Sequence, residues 1–337
     1  MTKMSVRWSW IIGFLLMISS TVTALAQKPE PITVRWGGTP SIELETPLFV
    51  AISQGYLADE GLKLESPMMG PGPRVREALA AGELDFADVG TFTYIVGRQA
   101  GLKQRIVFEY YTKEIFSLFV SSKMQDKIKT VADLKGQTII TSALGSSSHM
   151  AGLAFLDKAG LKGSDVSFAG LGSADPATMI TAMESGQFAG GVFWEPTSTF
   201  LIDRKVAFPL IDIRDPAAHE RWIGKNASSM VLAVSEDLLA KRPEVVERAV
   251  RALKKATSFI QTHSANEVAA ATASQFKMDP AVLTRILEPI KANFSRDGSL
   301  SKSGLDVEVD LAFGGGAIKK KLTFDEMVDT KFAGRRD

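Results

Sequence analysis

The sequence predicts an α/β fold built from two sheet-containing units and followed by a helical C-terminal tail. Three observations lead to this prediction. Strand-like and helix-like segments alternate from residue 32 onward with short loops, which is typical of parallel sheets covered by helices on both faces. The alternation starts again near residue 116. Beyond residue 243 the apolar residues instead follow a period close to 3.6, which indicates amphipathic helices.

In the first unit, Gly and Pro mark where the elements begin and end. Pro47 suits the first turn of a helix, and Gly82 and Gly101 are typical of positions that follow a helix. Residues 32–36 alternate apolar and polar side chains, as a half-buried strand does. The predicted strands are 32–36, 62–65, 86–89 and 105–110, and the predicted helices are 44–57, 75–81 and 94–100.

The second unit and the tail complete the chain. A short helical turn is predicted at residues 131–134, and the remaining segments follow the same strand and helix signals. Further strands are predicted at 116–120, 138–141, 166–168, 189–194, 206–211 and 230–234, and helices at 146–159, 176–185, 243–260, 265–276, 280–290, 305–312 and 323–332.

The first 26 residues have the pattern of a secretory signal peptide. Lys3 and Arg7 precede an apolar run at residues 8–18, and Ala24-Leu25-Ala26 resembles a cleavage site. A membrane-spanning helix is the alternative, but it needs about 20 apolar residues. Because the chain has no Cys, no lipid can be attached to a cysteine after cleavage. We therefore expect an exported protein that is free in the periplasm and is not a lipoprotein.

Composition excludes several classes of function. A formal net charge of +1 offers no electrostatic case for binding nucleic acid. The absence of Cys and the wide separation of three His residues argue against a metal site, and no cofactor is expected. The sequence has no G-x-S-x-G, H-E-x-x-H or P-loop motif. We therefore predict that the protein is not an enzyme.

The most informative candidate site lies between a predicted strand and a predicted helix. Ser146, Ser147 and Ser148 follow Gly145 there. Serine is a preferred N-cap residue, and the free amide groups and dipole of a helix N-terminus favour an anion. Ordinary capping with nothing bound is the alternative. The next residue, His149, is predicted either to line a cleft or to lie half-exposed on the helix.

Two other strand ends in the first unit have a similar design. Gly90 and Thr91 precede a helix that carries Tyr94, so hydroxyl and amide donors and an aromatic wall could meet a ligand there. Gly38 and Thr39 follow the first strand, where glycine permits close approach of a ligand to the backbone. The alternatives are a capped helix packed into the core and a tight turn.

Three further residues are candidates for ligand contact. Arg74 could pair with an anion through two hydrogen bonds, although a surface position is common for arginine. Trp194 could cover the apolar part of a ligand, and Glu195 could bind a cationic group. In the alternative, Trp194 belongs to the core and Glu195 faces solvent.

The sequence resembles a known family, the periplasmic substrate-binding proteins of importers for nitrate, alkanesulfonates, taurine and thiamine-pyrimidine precursors. The resemblance covers roughly residues 32–260, and four stretches carry it: 47–62, 78–87, 131–149 with its Gly145-Ser146-Ser147-Ser148-His149 segment, and Trp194-Glu195-Pro196 followed by 242–246. Family members often have an acidic residue just before Trp-Glu-Pro. Gly190 and Gly191 stand there instead, which argues against a strongly basic ligand.

The resemblance implies a two-lobed periplasmic binding protein of type II, with a hinge and a helical C-terminal tail. Residues 27–115 and 215–337 would form lobe I, residues 116–214 would form lobe II, and the ligand would bind in the cleft between them. Such lobes close on a ligand because it binds the closed form better.

The implied function is a periplasmic receptor that delivers a small organic anion to the permease of an ABC importer, as a monomer. The serine-rich helix N-terminus favours an oxyanion, and we expect an organosulfonate or a sulfate ester first. Nitrate and a neutral pyrimidine-type ligand remain alternatives. So does a sensory role, in which the same receptor docks on a membrane kinase or chemoreceptor.

Overall fold

The structure is a computed structural model, and it describes residues 30–65 and 68–337. The signal peptide predicted for residues 1–26 lies outside these residues. In the described part of the chain, no helix combines the length and the apolar character that a bilayer span requires. Pro31–Asp337 forms one compact unit.

The strands are short, and most of them belong to two five-stranded sheets. In chain order they are β1 (Ile32–Val34), β2 (Trp36–Gly38), β3 (Leu62–Leu64), β4 (Met68–Met69), β5 (Phe86–Gly90), β6 (Gln104–Tyr111), β7 (Ser117–Ser121), β8 (Thr138–Thr141), β9 (Ser167–Gly170), β10 (Gly190–Phe193), β11 (Ala207–Ile211), β12 (Met230–Ser235), β13 (Leu300–Ser301) and β14 (Arg335–Arg336).

The helices cover the sheets and form the C-terminal part of the chain. They are α1 (Ile42–Ser53), α2 (Tyr56–Asp59), α3 (Gly72–Ala80), α4 (Thr91–Gln99), α5 (Ser147–Lys158), α6 (Pro176–Ser185), α7 (Thr197–Asp203), α8 (Pro216–Trp222), α9 (Glu236–Lys241), α10 (Pro243–Thr262), α11 (Ala265–Phe276), α12 (Pro280–Ile290), α13 (Lys302–Gly314), α14 (Phe324–Met327) and α15 (Thr330–Ala333).

Both five-stranded sheets are mixed. The first has the order β4-β2-β5-β12-β6, and β12 runs antiparallel to β5 and β6. The second has the order β11-β7-β10-β8-β9, and β7 runs antiparallel to β10 and β11. The prediction of purely parallel sheets is therefore wrong for β7 and β12. The chain enters each of these strands from the other sheet, so the helix-linked crossover that keeps neighbouring strands parallel does not apply to them.

The C-terminal helices lie where their capping signals predict them. α11 and α12 have the predicted bounds, because Ser264 and Glu267 form a capping box and Asp279 caps the Pro280 turn. α10 buries one apolar stripe and packs it against α1 and α2. The predicted helical tail is confirmed.

The first helix differs from its prediction in a way that affects the site. α1 begins at Ile42, because Ser41 is its N-cap and its Oγ accepts a hydrogen bond of 3.3 Å from the Leu44 amide. Pro47 therefore lies inside the helix instead of opening it. The predicted helix also breaks at Gly55, whose φ of 73° suits glycine, and continues as α2.

Two helices bring the sheets together at the site. α4 follows β5 of the first sheet, and α5 follows β8 of the second sheet. These two helices contact each other, and α13 packs against both. Ligands of open α/β sheets bind at the carboxyl ends of the strands, so the facing N-termini of α4 and α5 mark the place to search for a site.

Candidate ligand-binding site

The N-termini of four helices meet at one cavity, which we call the serine cavity. The N-cap residues of α1, α4 and α5 line it, together with the first residue of α3. Its lining residues are Thr39, Ser41, Gly72, Gly90, Thr93, Ile115, Phe116, Ser142, Ser146, Ser147, Ser148, Trp194 and Met230. The positive ends of four helix dipoles therefore converge on one small space.

The α5 end of the cavity is a network of buried hydroxyl groups. Ser148 Oγ lies 3.0 Å from Ser146 Oγ, 3.1 Å from Ser142 Oγ and 3.2 Å from Thr141 Oγ1. Ser146 also caps the helix by accepting a hydrogen bond of 3.4 Å from the His149 amide. Because hydroxyl groups can rotate, this network can turn its donors toward an acceptor that enters the cavity.

Ser147, at the start of α5 next to the second sheet, caps α4, which follows a strand of the first sheet. The Thr93 amide of α4 donates a hydrogen bond of 3.0 Å to Ser147 Oγ, and the Thr93 and Ser147 hydroxyls are also 3.0 Å apart. Gly90 makes this approach possible, because a Cβ atom at that position would lie 2.3 Å from Ser147 Oγ. The two helix N-termini are thus held against each other by a contact that needs glycine.

We expect Gly90→Ala to separate α4 from α5, because the added methyl group and Ser147 cannot occupy the same space. Small-angle X-ray scattering would detect a larger radius of gyration with ligand present, and calorimetry would detect weaker binding. Gly70→Ala is the control, since a Cβ atom there meets only the Arg74 side chain at 3.4 Å. Equal compaction of Gly90→Ala and the wild-type protein would contradict the role of this contact.

The remaining wall of the cavity is apolar. The Trp194 and Phe116 rings meet edge to face with centroids 5.4 Å apart, and the Trp194 Nε1 donates a hydrogen bond of 2.8 Å to the Pro40 carbonyl. The cavity volume is about 20 Å³, which is room for about one water molecule.

The structure brings six of the twelve predicted residues to this cavity. They are Thr39, Gly90, Ser146, Ser147, Ser148 and Trp194. The sequence signals that found them were the glycine- and serine-rich strand ends. Ser41, Thr93 and Ser142 also line the cavity and were not among the predicted residues.

The other six predicted residues have different surroundings. Tyr94 is fully buried, and its hydroxyl lies 3.0 Å from the Gln104 carbonyl oxygen, so it belongs to the core. Thr91 donates to the Ser228 carbonyl. Arg74 is exposed on α3, a surface position that is common for arginine.

His149, Gly38 and Glu195 are also not among the residues that line the serine cavity. His149 Nδ1 accepts a hydrogen bond of 3.0 Å from the Gly145 amide, and burial lowers the histidine pKa. Gly38 packs on Asp88. Glu195 is buried and pairs with Arg214, so it does not face solvent.

The model of the family described as NMT1/THI5 like matches residues 45–266. The chain belongs to the NMT1/THI5-like family.

Relatives and solved structures of this family are similar over most of the chain. A binding protein of Brucella abortus (strain 2308) is 26% identical over 261 residues, which is 75% of this chain and 76% of that protein. A Bacillus subtilis (strain 168) protein named for aliphatic sulfonate binding is 26% identical over 296 residues, or 85% of this chain and 83% of that protein.

A solved structure confirms the predicted fold. The alkanesulfonate-binding protein SsuA of Xanthomonas axonopodis pv. citri, bound to MOPS, aligns with a TM-score of 0.71 and 22% identity, covering 90% of this chain and 99% of that one. The chain is a solute-binding protein of this family. The prediction of a non-enzyme is confirmed by the named relatives, which are binding proteins.

In this member of the family, buried acids surround the N-terminus of α1. The Ser41 amide donates a hydrogen bond of 3.0 Å to Glu45 Oε2, and the Ser41 hydroxyl donates one of 2.7 Å to Glu43 Oε2. Burial raises the pKa of each glutamate to about 8. Asp88 is also buried, with a pKa raised to about 7, and accepts from Trp36 Nε1 and the Tyr110 hydroxyl.

The sequence analysis missed these acids because it began the helix too late. With a predicted start at residue 44, Glu43 lay outside the helix. The pattern Ser41-x-x-x-Glu45 would have been the signal, because an acid in the first turn after a serine N-cap is typical of a helix start.

Glu195 connects the α1 terminus to the second sheet. The Ile42 amide donates a hydrogen bond of 3.2 Å to the Glu195 carbonyl, and the Glu195 amide donates one of 3.4 Å to Glu43 Oε1. The Glu195 carboxylate pairs with Arg214 at 2.7 Å and accepts from Thr199. Burial raises the Glu195 pKa, and Arg214 opposes that increase. Among the described residues, no group of His, Asp and Glu is placed to hold a metal ion.

Proposed function

We propose that this chain is a periplasmic receptor that closes two lobes on a small organic oxyanion and delivers it to the permease of an ABC importer. An organosulfonate or a sulfate ester is the first candidate ligand. The observation that carries the proposal is the convergence of the α3, α4 and α5 N-termini on the serine cavity.

Three helix ends favour an anion, whereas the fourth already has two acids beside it. Each helix N-terminus stabilises a neighbouring negative charge by about 0.3–1 kcal/mol, and by up to about 2 kcal/mol when partly buried. The α1 N-terminus already binds its own acids, Glu43 and Glu45, through Ser41. The amides and hydroxyls of α4 and α5 therefore supply the donors, and the hydroxyl network adds hydrogen bonds to an oxyanion.

The division into lobes has support from the topology. We propose that residues 27–115 and 215–337 form lobe I and that residues 116–214 form lobe II. The strands of the first sheet lie at residues 36–111 and 230–235, and those of the second lie at residues 117–211. Closure would press the two sheets' helix ends together, as the Thr93–Ser147 and Trp194–Pro40 hydrogen bonds do.

The cellular setting is proposed from the sequence and the relatives. Residues 1–26 have the pattern of a cleaved signal peptide, and without Cys the mature chain would not be a lipoprotein. The relative from Bacillus subtilis is named for aliphatic sulfonates. A free, monomeric receptor that passes its ligand to a membrane permease fits these observations.

A thermal-shift panel tests the ligand class. The chain from residue 27 is heated with sulfonates, sulfate esters, carboxylates, phosphonates, nitrate or pyrimidines. A ligand that binds only the folded state stabilises it by about 2.7 kcal/mol at a hundredfold excess over Kd. We expect sulfonates or sulfate esters to raise the Tm. A shift with pyrimidines alone would contradict the oxyanion proposal.

A matched pair of N-cap variants separates binding from folding. Ser146 caps α5 in the serine cavity, and Ser235 caps α9 by accepting a hydrogen bond of 3.1 Å from the Leu238 amide. We expect Ser146→Ala and Ser235→Ala each to cost about 1 kcal/mol of stability. Only Ser146→Ala should also weaken binding of the anion. We expect its Kd to rise by about tenfold, because a hydrogen bond to a charged group is lost. Calorimetry showing equal Kd values in the two variants would remove Ser146 from the site.

A further inference from the structure

A cavity lined by four cationic side chains is separate from the serine cavity, and we call it the arginine cavity. Its volume is about 670 Å³, and the two cavities share no lining residue within the described part of the chain. The charged residues on its described wall are Lys113, Arg296, Arg335 and Arg336, with Asp297 as the acid. Because the whole chain has a formal net charge of only +1, this excess of positive charge is local.

The fold brings these charges together from three separate parts of the chain. Lys113 lies in the connection between β6 and β7, Arg296 lies between α12 and β13, and the other two arginines form β14. β14 pairs with β13, and the Thr112 amide and hydroxyl each donate a hydrogen bond of 2.9 Å to the Asn293 carbonyl. These contacts hold the three segments against one another, so the cationic wall is a product of tertiary structure and not a basic run on one exposed helix.

The hydrogen bonds among the described residues use few of the arginine donors. Arg336 Nη2 donates a hydrogen bond of 2.6 Å to Glu109 Oε1, and Arg335 Nε donates one of 2.9 Å to the Asp337 carbonyl. A guanidinium group has five N–H donors, so each arginine keeps donors for a ligand. The Glu109 side chain is 0% exposed and that of Arg336 is 38% exposed. The buried acid therefore anchors Arg336, while part of its side chain stays accessible.

The acid and the lysine of the wall do not cancel the positive charge. The Asp297 carboxylate accepts hydrogen bonds of 3.0 Å from the Ser299 amide and 2.6 Å from the Ser299 hydroxyl. Lys113 Nζ donates to the Lys225 carbonyl oxygen, which carries no formal charge. Even when Glu109 is counted against Arg336, the cations outnumber the acids, and an anion that enters the cavity meets a net positive field.

This arrangement of cations suits an oxyanion with more than one charged group. Guanidinium groups pair with phosphate or carboxylate oxygens through two parallel hydrogen bonds. The cations stand on three segments of the wall, so a small monovalent anion would use only part of them. The volume of the cavity exceeds the share of one water molecule many times over, which leaves room for a larger anion.

We propose that the arginine cavity is a second anion-binding site of this chain and that it takes a multivalent oxyanion, of which inorganic pyrophosphate is the simplest example. The two sites use different donors, because hydroxyl groups and helix ends line the serine cavity whereas guanidinium groups line this one. The inference goes beyond the proposed function and does not depend on which solute the serine cavity binds.

Calorimetry with inorganic pyrophosphate and with inorganic phosphate at pH 7 tests the proposal. We expect one pyrophosphate to bind per chain, with a Kd about tenfold lower than that of phosphate. In the double variant Arg296→Gln with Arg335→Gln, the pyrophosphate Kd should rise by about tenfold or more, because hydrogen bonds to a charged group are lost. Both arginines are exposed, and Arg336 stays in place on its buried partner, so an unchanged Tm is expected for this variant.

Two control variants identify the site. Lys63→Gln with Lys103→Gln removes the same formal charge at exposed positions outside the cavity, and Ser146→Ala alters the serine cavity. Neither control should change the pyrophosphate Kd. The inference is overturned if the wild-type protein shows no saturable binding, if phosphate and pyrophosphate bind equally, or if the lysine variant loses as much affinity as the arginine variant. A loss in Ser146→Ala alone would also overturn it, and would place pyrophosphate in the serine cavity.

Discussion

Ligand affinity is expected to fall as the pH rises from 5 to 8, because closure takes up a proton at Glu43. Burial, together with the charge of Glu195, raises the pKa of Glu43 to about 8 in this structure. We expect the same carboxyl to face water in an open form, with an ordinary pKa near 4.3. The closed form therefore binds a proton that the open form releases between these two values.

The direction of the effect follows from linkage. A group whose pKa is raised in the closed form stabilises that form fully at pH values below its ordinary pKa. This stabilisation is lost as the pH rises to the raised pKa. One such group changes the closure equilibrium by up to about tenfold per pH unit in that window. The groups that face Glu43 are Glu195, Ser41 and Tyr111, whose own pKa is raised by burial and by Glu43.

Calorimetric titration of a sulfonate at half-unit pH steps measures this effect. The wild-type Kd should rise toward pH 8 and then level off. In Glu43→Gln, which cannot ionise and whose amide oxygen can replace one of the two accepting carboxylate oxygens, the slope should be reduced strongly. A wild-type Kd that is constant across the window would show that Glu43 does not change its protonation on closure.

The sequence predicted those parts of the fold that local signals determine. α11 and α12 have the predicted bounds because capping residues and an apolar period act within a few residues. Ser146, Ser147 and Ser148 were found for the same reason, since a serine run after a strand is a local pattern.

Features decided by tertiary contacts could not be predicted in this way. The direction of β12 depends on the chain returning from the second sheet, which no local pattern records. Tyr94 was predicted to contact a ligand because its aromatic ring could wall off an organic group, but α4 directs its hydroxyl to Gln104 in the core. The acids Glu43 and Glu45 matter because they are buried, and their burial follows from the packing of α1 against residues far away in the chain.

The Glu195–Arg214 pair illustrates this dependence and carries the largest expected loss of stability. The Glu195 side chain is 3% exposed and that of Arg214 is 21% exposed. Arg214 also pairs with Asp212 at 2.7 Å. Removing one member of a buried ion pair leaves an uncompensated charge and costs about 3–5 kcal/mol, whereas an exposed pair contributes about 0–1 kcal/mol.

We therefore expect Arg214→Met to lower the free energy of unfolding by about 3–5 kcal/mol at pH 7 and above. The loss should shrink at pH 5, because Glu195 without its partner has a still higher pKa and becomes neutral by taking up a proton. Arg285→Met is the control, since Arg285 pairs with Asp203 at 2.5 Å but both side chains are at least 40% exposed. Urea unfolding of the wild-type protein, Arg214→Met and Arg285→Met at pH 5 and pH 7 measures these free energies.

The double variant Glu195→Gln with Arg214→Met tests whether the loss of stability in Arg214→Met comes from the unpaired charge of Glu195. The substituted glutamine would be neutral and could still accept from Thr199, so most of the stability should return. The Ile42 and Glu43 contacts use the Glu195 backbone, and the double variant should keep them. If the double variant is as unstable as Arg214→Met, the arginine acts through its packing or through Asp212, and the charge of Glu195 is not the cause.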